Sequence, residues 1–241
     1  TPANNAIDLG LTAQDMKFPK LSDFPIMNTE IIARVLKDFK QVILSGPPGT
    51  SKSYWAKSIA QNDYFQKNFT QIQFHPQFSY QQFVGGYVVE GDLVKYKNGI
   101  LLNILDSIGE EPHLLIIDEI NRENVTQVFG EILQLLDRGN SLKIKNESIS
   151  DSKTYSLPKN LYILATLNST DRSLSRLDYA FKRRFAEIYV PVNASILNDL
   201  CDTTDFISLA TFLEKINRNL VQLTQDKDMV IGHAIFLADH V

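Results

Sequence analysis

The sequence has 241 residues with a formal net charge of −4 at pH 7, and 44% of its residues are hydrophobic. A chain of this length and composition can bury a sizeable core as one large domain or as a domain with a small appendage. The charge excludes a global basic surface of the kind that drives strong nonspecific DNA binding. The single cysteine, Cys201, excludes an internal disulfide and fits a reducing cytosol. No apolar run reaches the roughly 18 residues needed to cross a bilayer, so we expect a soluble, cytoplasmic protein without a membrane partner.

Residues 1–27 contain three prolines and little periodicity, which is typical of an N-terminal leader or linker. Because the chain begins at Thr1 and not at a methionine, we expect it to be a piece of a longer protein. Apolar residues then recur at helical spacing and predict a helix that leads into the first strand. These residues are Ile31, Ile32, Val35, Leu36 and Phe39.

Strand and helix patterns alternate along the next part of the chain. Strands are predicted at 41–45, 71–74, 113–117, 161–166 and 186–190, and helices at 54–60, 100–108, 125–136 and 175–183. Two hairpins interrupt them, one within 75–99 and one pairing 142–144 with 154–157. This alternation indicates an α/β fold with a five-stranded parallel sheet flanked by helices on both faces.

Beyond Pro191 the pattern is helical only. An apolar face predicts one helix of a C-terminal helical lid. The residues of this face are Leu209, Phe212, Leu213, Ile216, Leu220 and Leu223. We therefore expect a nucleotide-binding subdomain over residues 28–191 and a truncated lid subdomain over residues 192–241.

A glycine-rich loop, GPPGTSKS at residues 46–53, lies between the first strand and a helix, and this context is typical of a phosphate-binding loop. Backbone N–H groups and the helix N-terminus would hold the phosphates, Lys52 would reach the β and γ oxygens, and Ser53 would ligate Mg²⁺. Ser51 replaces the usual glycine before the lysine, which either weakens binding or shows that the loop tolerates a small side chain. The predicted nucleotide-binding residues are Gly46, Pro47, Pro48, Gly49, Thr50, Ser51, Lys52, Ser53 and Tyr54.

Two carboxylates end the apolar strand LLIIDE, at the edge of an open α/β sheet where ligands bind. Asp118 would hold the Mg²⁺ shell, and Glu119 would polarise the water that attacks the γ-phosphate of a nucleoside triphosphate. Two surface carboxylates at a strand end are the alternative. Pairing with Lys52 favours the catalytic interpretation.

Three further polar residues have two interpretations each. Asn168 follows the fourth strand, where its amide would contact the γ-phosphate and the attacking water, or would only form a turn. Arg183 and Arg184 end a helix, where they either stabilise the helix dipole or reach the triphosphate of a neighbouring subunit. The second role requires an oligomer.

These motifs together resemble AAA+ ATPases, and four segments resemble the McrB-like motor subunits of modification-dependent restriction systems. The segments are IQFHPQFSYQQFVGGY at 72–87, DEINREN at 118–124, LNSTDRSLSRLDYAFKRRF at 167–185 and IGHAIFL at 231–237. The resemblance covers roughly residues 28–241.

The resemblance implies a hexameric ring that hydrolyses GTP in preference to ATP with Mg²⁺, and that recruits a McrC-like subunit carrying the nuclease. It makes Asn168 the first sensor and Arg183 and Arg184 the candidates for an inter-subunit finger. By the same resemblance residues 231–237 are the second-sensor region, which contains no arginine here, as in the family. Asn121 and Arg122 would lie close to the subunit interface and the Mg²⁺ site, and Asp171 would lie near the interface. The element Asn168 to Asp171 also matches the NxxD pattern by which small GTPases read guanine, although it lies where a sensor belongs.

Three functions remain open on the sequence. The leading one is an NTP-driven ring motor that translocates DNA or activates a DNA-bound nuclease, with Tyr87, Lys95 and Lys97 of the first hairpin as pore or DNA contacts. A solvated hairpin is the alternative for those residues. A protein-remodelling AAA+ ATPase and a nucleotide-gated assembly module with weak hydrolysis are the other two functions.

Overall fold

The computed structural model describes residues 29–65, 68–145, 152–170, 177–200 and 208–237. The predicted leader at 1–27 lies outside these ranges, as do Asp171, Ser175 and Cys201.

Nine strands lie within the described ranges. They are β1 Gln41–Gly46, β2 Phe69–Gln73, β3 Gly85–Glu90, β4 Leu93–Asn98, β5 His113–Asp118, β6 Leu142–Lys145, β7 Ser152–Tyr155, β8 Leu161–Asn168 and β9 Ala186–Tyr189.

The described α-helices are short apart from the first and the last. They are α1 Thr29–Phe39, α2 Lys52–Ala60, α3 Tyr80–Phe83, α4 Ile100–Ser107, α5 Val125–Phe129, α6 Tyr179–Lys182 and α7 Leu209–Thr224. Single 3-10 segments cover Ile120–Arg122, Gly130–Leu136, Ala194–Leu200 and His233–Leu237.

The five predicted core strands form one parallel sheet, which confirms the predicted fold class. The order of its strands, which the sequence did not predict, is β2-β5-β8-β1-β9. Gly46 pairs with Asn168 at the end of β1 and β8, and Gln73 pairs with Asp118 at the end of β2 and β5. The ends of these four strands therefore share the carboxyl edge of the sheet. Both predicted hairpins are present, as β3 against β4 and β6 against β7.

Alternate residues of the central strands enter two separate cores, because successive side chains of a strand point to opposite faces. On β5, Leu114 and Ile116 pack in the core that contains α1 and α2, whereas Leu115 and Ile117 pack in the core that contains α4 and α5. Both faces of the sheet are thus covered by helices.

The helix predicted after β5 differs from the structure. It divides at Gly130, whose φ of 51° breaks the α-helix, and continues as a 3-10 segment. Tyr80 also contacts Gly130 so closely that a Cβ there would lie 2.8 Å from its ring. The predicted apolar residues Val125, Val128, Phe129, Ile132 and Leu136 are nevertheless buried.

The helix before β9 also differs from its prediction. The described part of the segment before β9 becomes helical only at Tyr179, where Asp178 caps it by accepting a hydrogen bond from the N–H of Ala180. On α7 the periodicity correctly predicts a helix, but its apolar face is only partly covered. Leu213 is fully buried, whereas Phe212 and Leu223 are exposed.

No helix within the described ranges combines the length and the apolar character that a membrane crossing requires.

Candidate active site

The glycine-rich loop leaves β1 at Gly46 and enters α2 at Lys52. Gly49 and Ser51 have φ of 72° and 64°, in the left-handed region that side chains disfavour. The Thr50 hydroxyl donates to the carbonyl of Pro47 at 2.9 Å and closes the loop on itself. This conformation places the first N–H groups of α2 at the carboxyl edge of the sheet, where an anion can accept from them.

The Lys52 side chain is buried and lies back over its own loop. Its Nζ donates to the carbonyl oxygens of Gly46 at 3.0 Å and Pro47 at 2.6 Å. These partners satisfy the ammonium group, and they are neutral oxygens that phosphate oxygens can replace. Tyr54, in the first turn of α2, is about half exposed and packs edge-on against Trp55.

Ser53 and Asp118 come from distant parts of the chain and meet at this edge. The Ser53 hydroxyl donates to Asp118 Oδ1 at 2.9 Å. Hydroxyl and carboxylate oxygens suit Mg²⁺, which binds hard oxygen ligands together with phosphate oxygens. The two predicted metal ligands therefore fit a single Mg²⁺ site.

Asp118 is also held by two side chains of the neighbouring strands. Thr166 on β8 donates to Oδ1 at 2.7 Å, and Gln71 on β2 donates to Oδ2 at 2.9 Å. The Thr166 hydroxyl in turn accepts from the backbone N–H of Glu119 at 3.0 Å. One buried hydroxyl thus orients both acidic residues.

Glu119 projects from a left-handed backbone, with φ of 52°. Its carboxylate accepts from Gln73 Nε2 at 3.0 Å and from Asn168 Nδ2 at 3.3 Å, and it pairs with Arg122 Nε at 3.2 Å. Asn121, buried beside it, donates to the carbonyl of Asn168 at 3.1 Å. The structure therefore brings Glu119, Asn168, Asn121 and Arg122 together, next to the Ser53–Asp118 pair.

The two arginines predicted as inter-subunit residues lie elsewhere. They precede β9, whose Ala186 pairs with Val42 near the start of β1, so they lie at the amino edge of the sheet, opposite the glycine-rich loop. Gln41, the first residue of β1, donates to the carbonyl of Arg184 at 2.7 Å.

Arg183 and Arg184 differ in burial and in hydrogen bonding. Arg184 donates through Nε and Nη2 to Asp137 Oδ2 at 2.9 and 2.6 Å, and its guanidinium is largely buried. Arg183 is exposed. Within one chain, then, Arg184 has a structural partner and Arg183 presents its side chain to solvent.

Sequence reasoning missed three polar residues of the site: Gln71, Gln73 and Thr166. A signal was available, because Gln71 and Gln73 recur with period two on β2, and Thr166 interrupts the apolar run of β8. Their hydrogen bonds to the carboxylates explain why polar side chains stand at these positions.

A glycine-rich loop between a buried strand and a helix, with its serine bonded to an aspartate at a neighbouring strand end, defines a P-loop NTPase. Residues 41–185 match the AAA domain family, dynein-related subfamily, and the chain belongs to that family. The chain is a McrB-like AAA+ NTPase, an enzyme that hydrolyses nucleoside triphosphates.

Three curated relatives are similar to this chain. The type IV methyl-directed restriction enzyme EcoKMcrB subunit of Escherichia coli K12 is 31% identical, over 88% of this chain and 50% of that protein. The type II restriction enzyme BsuMI component YdiS of Bacillus subtilis 168 is 30% identical, over 61% of this chain and 56% of that protein. Midasin of Giardia intestinalis is 26% identical, over 78% of this chain and 4% of that protein. The chain therefore spans about half the length of the first two relatives.

Proposed function

We propose that this chain is the motor of a McrBC-like restriction system, that it hydrolyses GTP in preference to ATP, and that it works with a separate nuclease subunit. The observation that carries the proposal is the hydrogen bond between Ser53 and Asp118, which joins the glycine-rich loop to the acidic strand end. The similarity to two restriction-enzyme components supports the biological setting.

In the proposed mechanism the triphosphate lies over the glycine-rich loop. Lys52 exchanges the carbonyl oxygens of Gly46 and Pro47 for β- and γ-phosphate oxygens, which bind an ammonium group more strongly because they are charged. Ser53 and Asp118 would hold Mg²⁺, which would neutralise part of the charge of the phosphates when bound. The N–H groups at the start of α2 face the phosphate chain.

Glu119 orients the attacking water and accepts its proton, because it is the second carboxylate at the strand end and Asp118 is engaged with Ser53. Asn168, already within hydrogen-bond distance of Glu119, contacts the γ-phosphate and the same water. Gln73 and Arg122 hold the Glu119 carboxylate in place from the other sides. This set of contacts supports hydrolysis over a role in binding alone.

The charge that develops on the γ-phosphate is stabilised by Arg183 of the neighbouring subunit in a hexameric ring. Its position at the amino edge, away from the loop of its own chain, supports action in trans. Arg184 keeps the helix end in place through Asp137. Asn121, Arg122 and Asp171 are assigned to the same subunit interface.

DNA contact is assigned to the β3–β4 hairpin and to other parts of the assembly, in a cytoplasmic complex. Tyr87, Lys95 and Lys97 are exposed on the hairpin, although Lys95 lies 3.8 Å from Glu90, which offsets part of its charge. Few cations are available there, so this chain adds only a local contribution to DNA binding.

The testing experiment measures hydrolysis of GTP and ATP side by side, with and without a McrC-like nuclease subunit. We expect higher kcat/KM for GTP and a further increase when the nuclease subunit is added. Hydrolysis that responds to a protein client and not to the nuclease subunit would instead support a protein-remodelling ATPase. Binding without turnover by the oligomer would support an assembly module.

A further inference from the structure

The segment Gly232–Ala234 of the lid lies directly on the glycine-rich loop. A Cβ on Gly232 would lie 2.2 Å from the carbonyl carbon and oxygen of Gly49, so only glycine allows this approach. The N–H of Ala234 donates to the carbonyl of Gly49 at 2.9 Å. The lid and the loop are therefore in backbone contact on both sides of His233.

His233 itself is 2% exposed and bonds at both ring nitrogens. The backbone N–H of Asn193 donates to Nδ1 at 3.2 Å, so Nδ1 must be the acceptor of a neutral ring. The proton then lies on Nε2, which is 3.2 Å from Ser51 Oγ and donates to it. Burial lowers the pKa of His233, which agrees with a neutral ring.

Ser51 is the residue that stands where a glycine is usual in such loops. It has φ of 64° and ψ of 25°, a left-handed conformation that side chains rarely adopt without a local hydrogen bond. Although Ser51 is the N-cap of α2, its hydroxyl makes no cap hydrogen bond to that helix. The hydroxyl is bonded to His233 instead.

We propose that His233 is a positioning residue for the glycine-rich loop: it holds Ser51 in the left-handed conformation and thereby fixes the direction in which Lys52 and Ser53 leave the loop. A glycine adopts the left-handed conformation readily because it has no side chain. Here the hydrogen bond from His233 stabilises that conformation for a serine. The same bond joins the segment 231–237 to the loop. This inference rests on the proposed function in one respect, that the loop binds a triphosphate.

The test is a double-mutant cycle in the full 241-residue chain between Ser51→Gly and His233→Phe, where phenylalanine keeps the ring and removes its nitrogens. The affinity for fluorescent GTP and ATP analogues is measured by titration. In the parent protein, which has Ser51, we expect His233→Phe to weaken nucleotide binding about tenfold. In the Ser51→Gly protein the same substitution should weaken binding by less than about threefold, because the hydrogen bond that it would remove is already absent. His233→Gln, whose Nε2 can replace the ring donor, should restore most of the affinity.

Denaturant unfolding of the same four proteins without nucleotide provides a second, independent readout. We expect the unfolding constant of the double variant to differ about three- to tenfold from the value that adding the two single effects on the free energy of unfolding would give. If the parent binds no nucleotide, the proposed function fails while this cycle still tests the pair. Equal losses in both backgrounds, additive unfolding, or unchanged nucleotide affinity in His233→Phe would each overturn the inference.

Discussion

The Ser53 hydroxyl donates a hydrogen bond to Asp118 Oδ1 at 2.9 Å, across 65 positions of the chain. Because Ser53 belongs to α2 and Asp118 to β5, this bond places the phosphate-binding end of one element beside the acidic end of another. β8 lies between β1 and β5, and its Thr166 shares the same carboxylate oxygen. The site is therefore assembled by the order of strands in the sheet.

Glu119→Gln should abolish turnover while keeping nucleotide bound. The amide retains the size of the side chain but cannot accept the proton of the attacking water, and a positioned general base contributes about 10²- to 10⁴-fold. Phosphate release measures the loss, and titration with a fluorescent triphosphate measures binding. A variant that hydrolyses at the parent rate would remove Glu119 from the mechanism.

Thr166→Val should impair both stability and turnover. It removes the donor to Asp118 and the acceptor for the Glu119 N–H, and an unpaired buried group costs about 1–3 kcal/mol in the free energy of unfolding. Displaced carboxylates should lower kcat by about 10- to 100-fold with a smaller change in KM. Thr166→Ser, which keeps the hydroxyl, is the matched control and should retain most of the activity. If valine and serine behave alike, the hydroxyl does not orient the carboxylates.

Arg183→Ala and Arg184→Ala should differ in their effects. Arg184→Ala breaks the ion pair with Asp137 and should lower the free energy of unfolding by about 1 kcal/mol, because the carboxylate is half exposed. Arg183→Ala should change it by less than about 0.5 kcal/mol and still abolish hydrolysis.

Mixing Arg183→Ala with Lys52→Ala protein tests the position of Arg183 between subunits. Each variant supplies the residue that the other lacks, so phosphate release should recover in the mixture although neither is active alone. Mixtures that stay inactive, in rings confirmed to contain both variants, would contradict a site shared between subunits.

Gly232→Ala should separate the C-terminal segment 231–237 from the glycine-rich loop. The added methyl group would overlap the backbone of Gly49, and overpacking of this kind costs about 1–3 kcal/mol. We expect weaker nucleotide binding by titration and a lower melting temperature. Gly109→Ala is the control, because a Cβ there meets no atom within 4 Å. A Gly232→Ala protein that matches this control would show that the close approach is not needed.

His113 should make stability pH-dependent. Burial lowers its pKa below 6.5, with Thr70 at one ring nitrogen and Asn68 at the other, so the unfolded chain binds a proton more readily than the folded chain. The free energy of unfolding should therefore fall as pH decreases through about 6.5 towards the lower folded-state pKa. Denaturant midpoints between pH 5 and 8 measure this, and His113→Gln should flatten the dependence. An equally steep dependence in the variant would assign it to other groups, His233 among them.

The sheet and the ends of its strands could be predicted because their signals are local. An apolar run such as 114–117, or the glycine-rich loop at 46–53, is recognised from a few consecutive residues. The fold class and the candidate residues Lys52, Ser53, Asp118 and Glu119 could therefore be predicted from the sequence. The break at Gly130 could not be predicted. The Tyr80 ring lies where a side chain at position 130 would be, and Tyr80 belongs to α3, which is distant in the sequence.

The sequence by itself determined a phosphate-binding loop, an acidic strand end and a parallel sheet, because each depends on the order of residues along a short stretch. Only the tertiary structure decided that Arg184 is bound and Arg183 exposed, that Thr166 joins two carboxylates, and that His233 reaches Ser51 across 182 positions. Those facts depend on which side chains meet once the strands pack, because the order of residues along a short stretch does not specify the distant partner of a hydrogen bond or an ion pair.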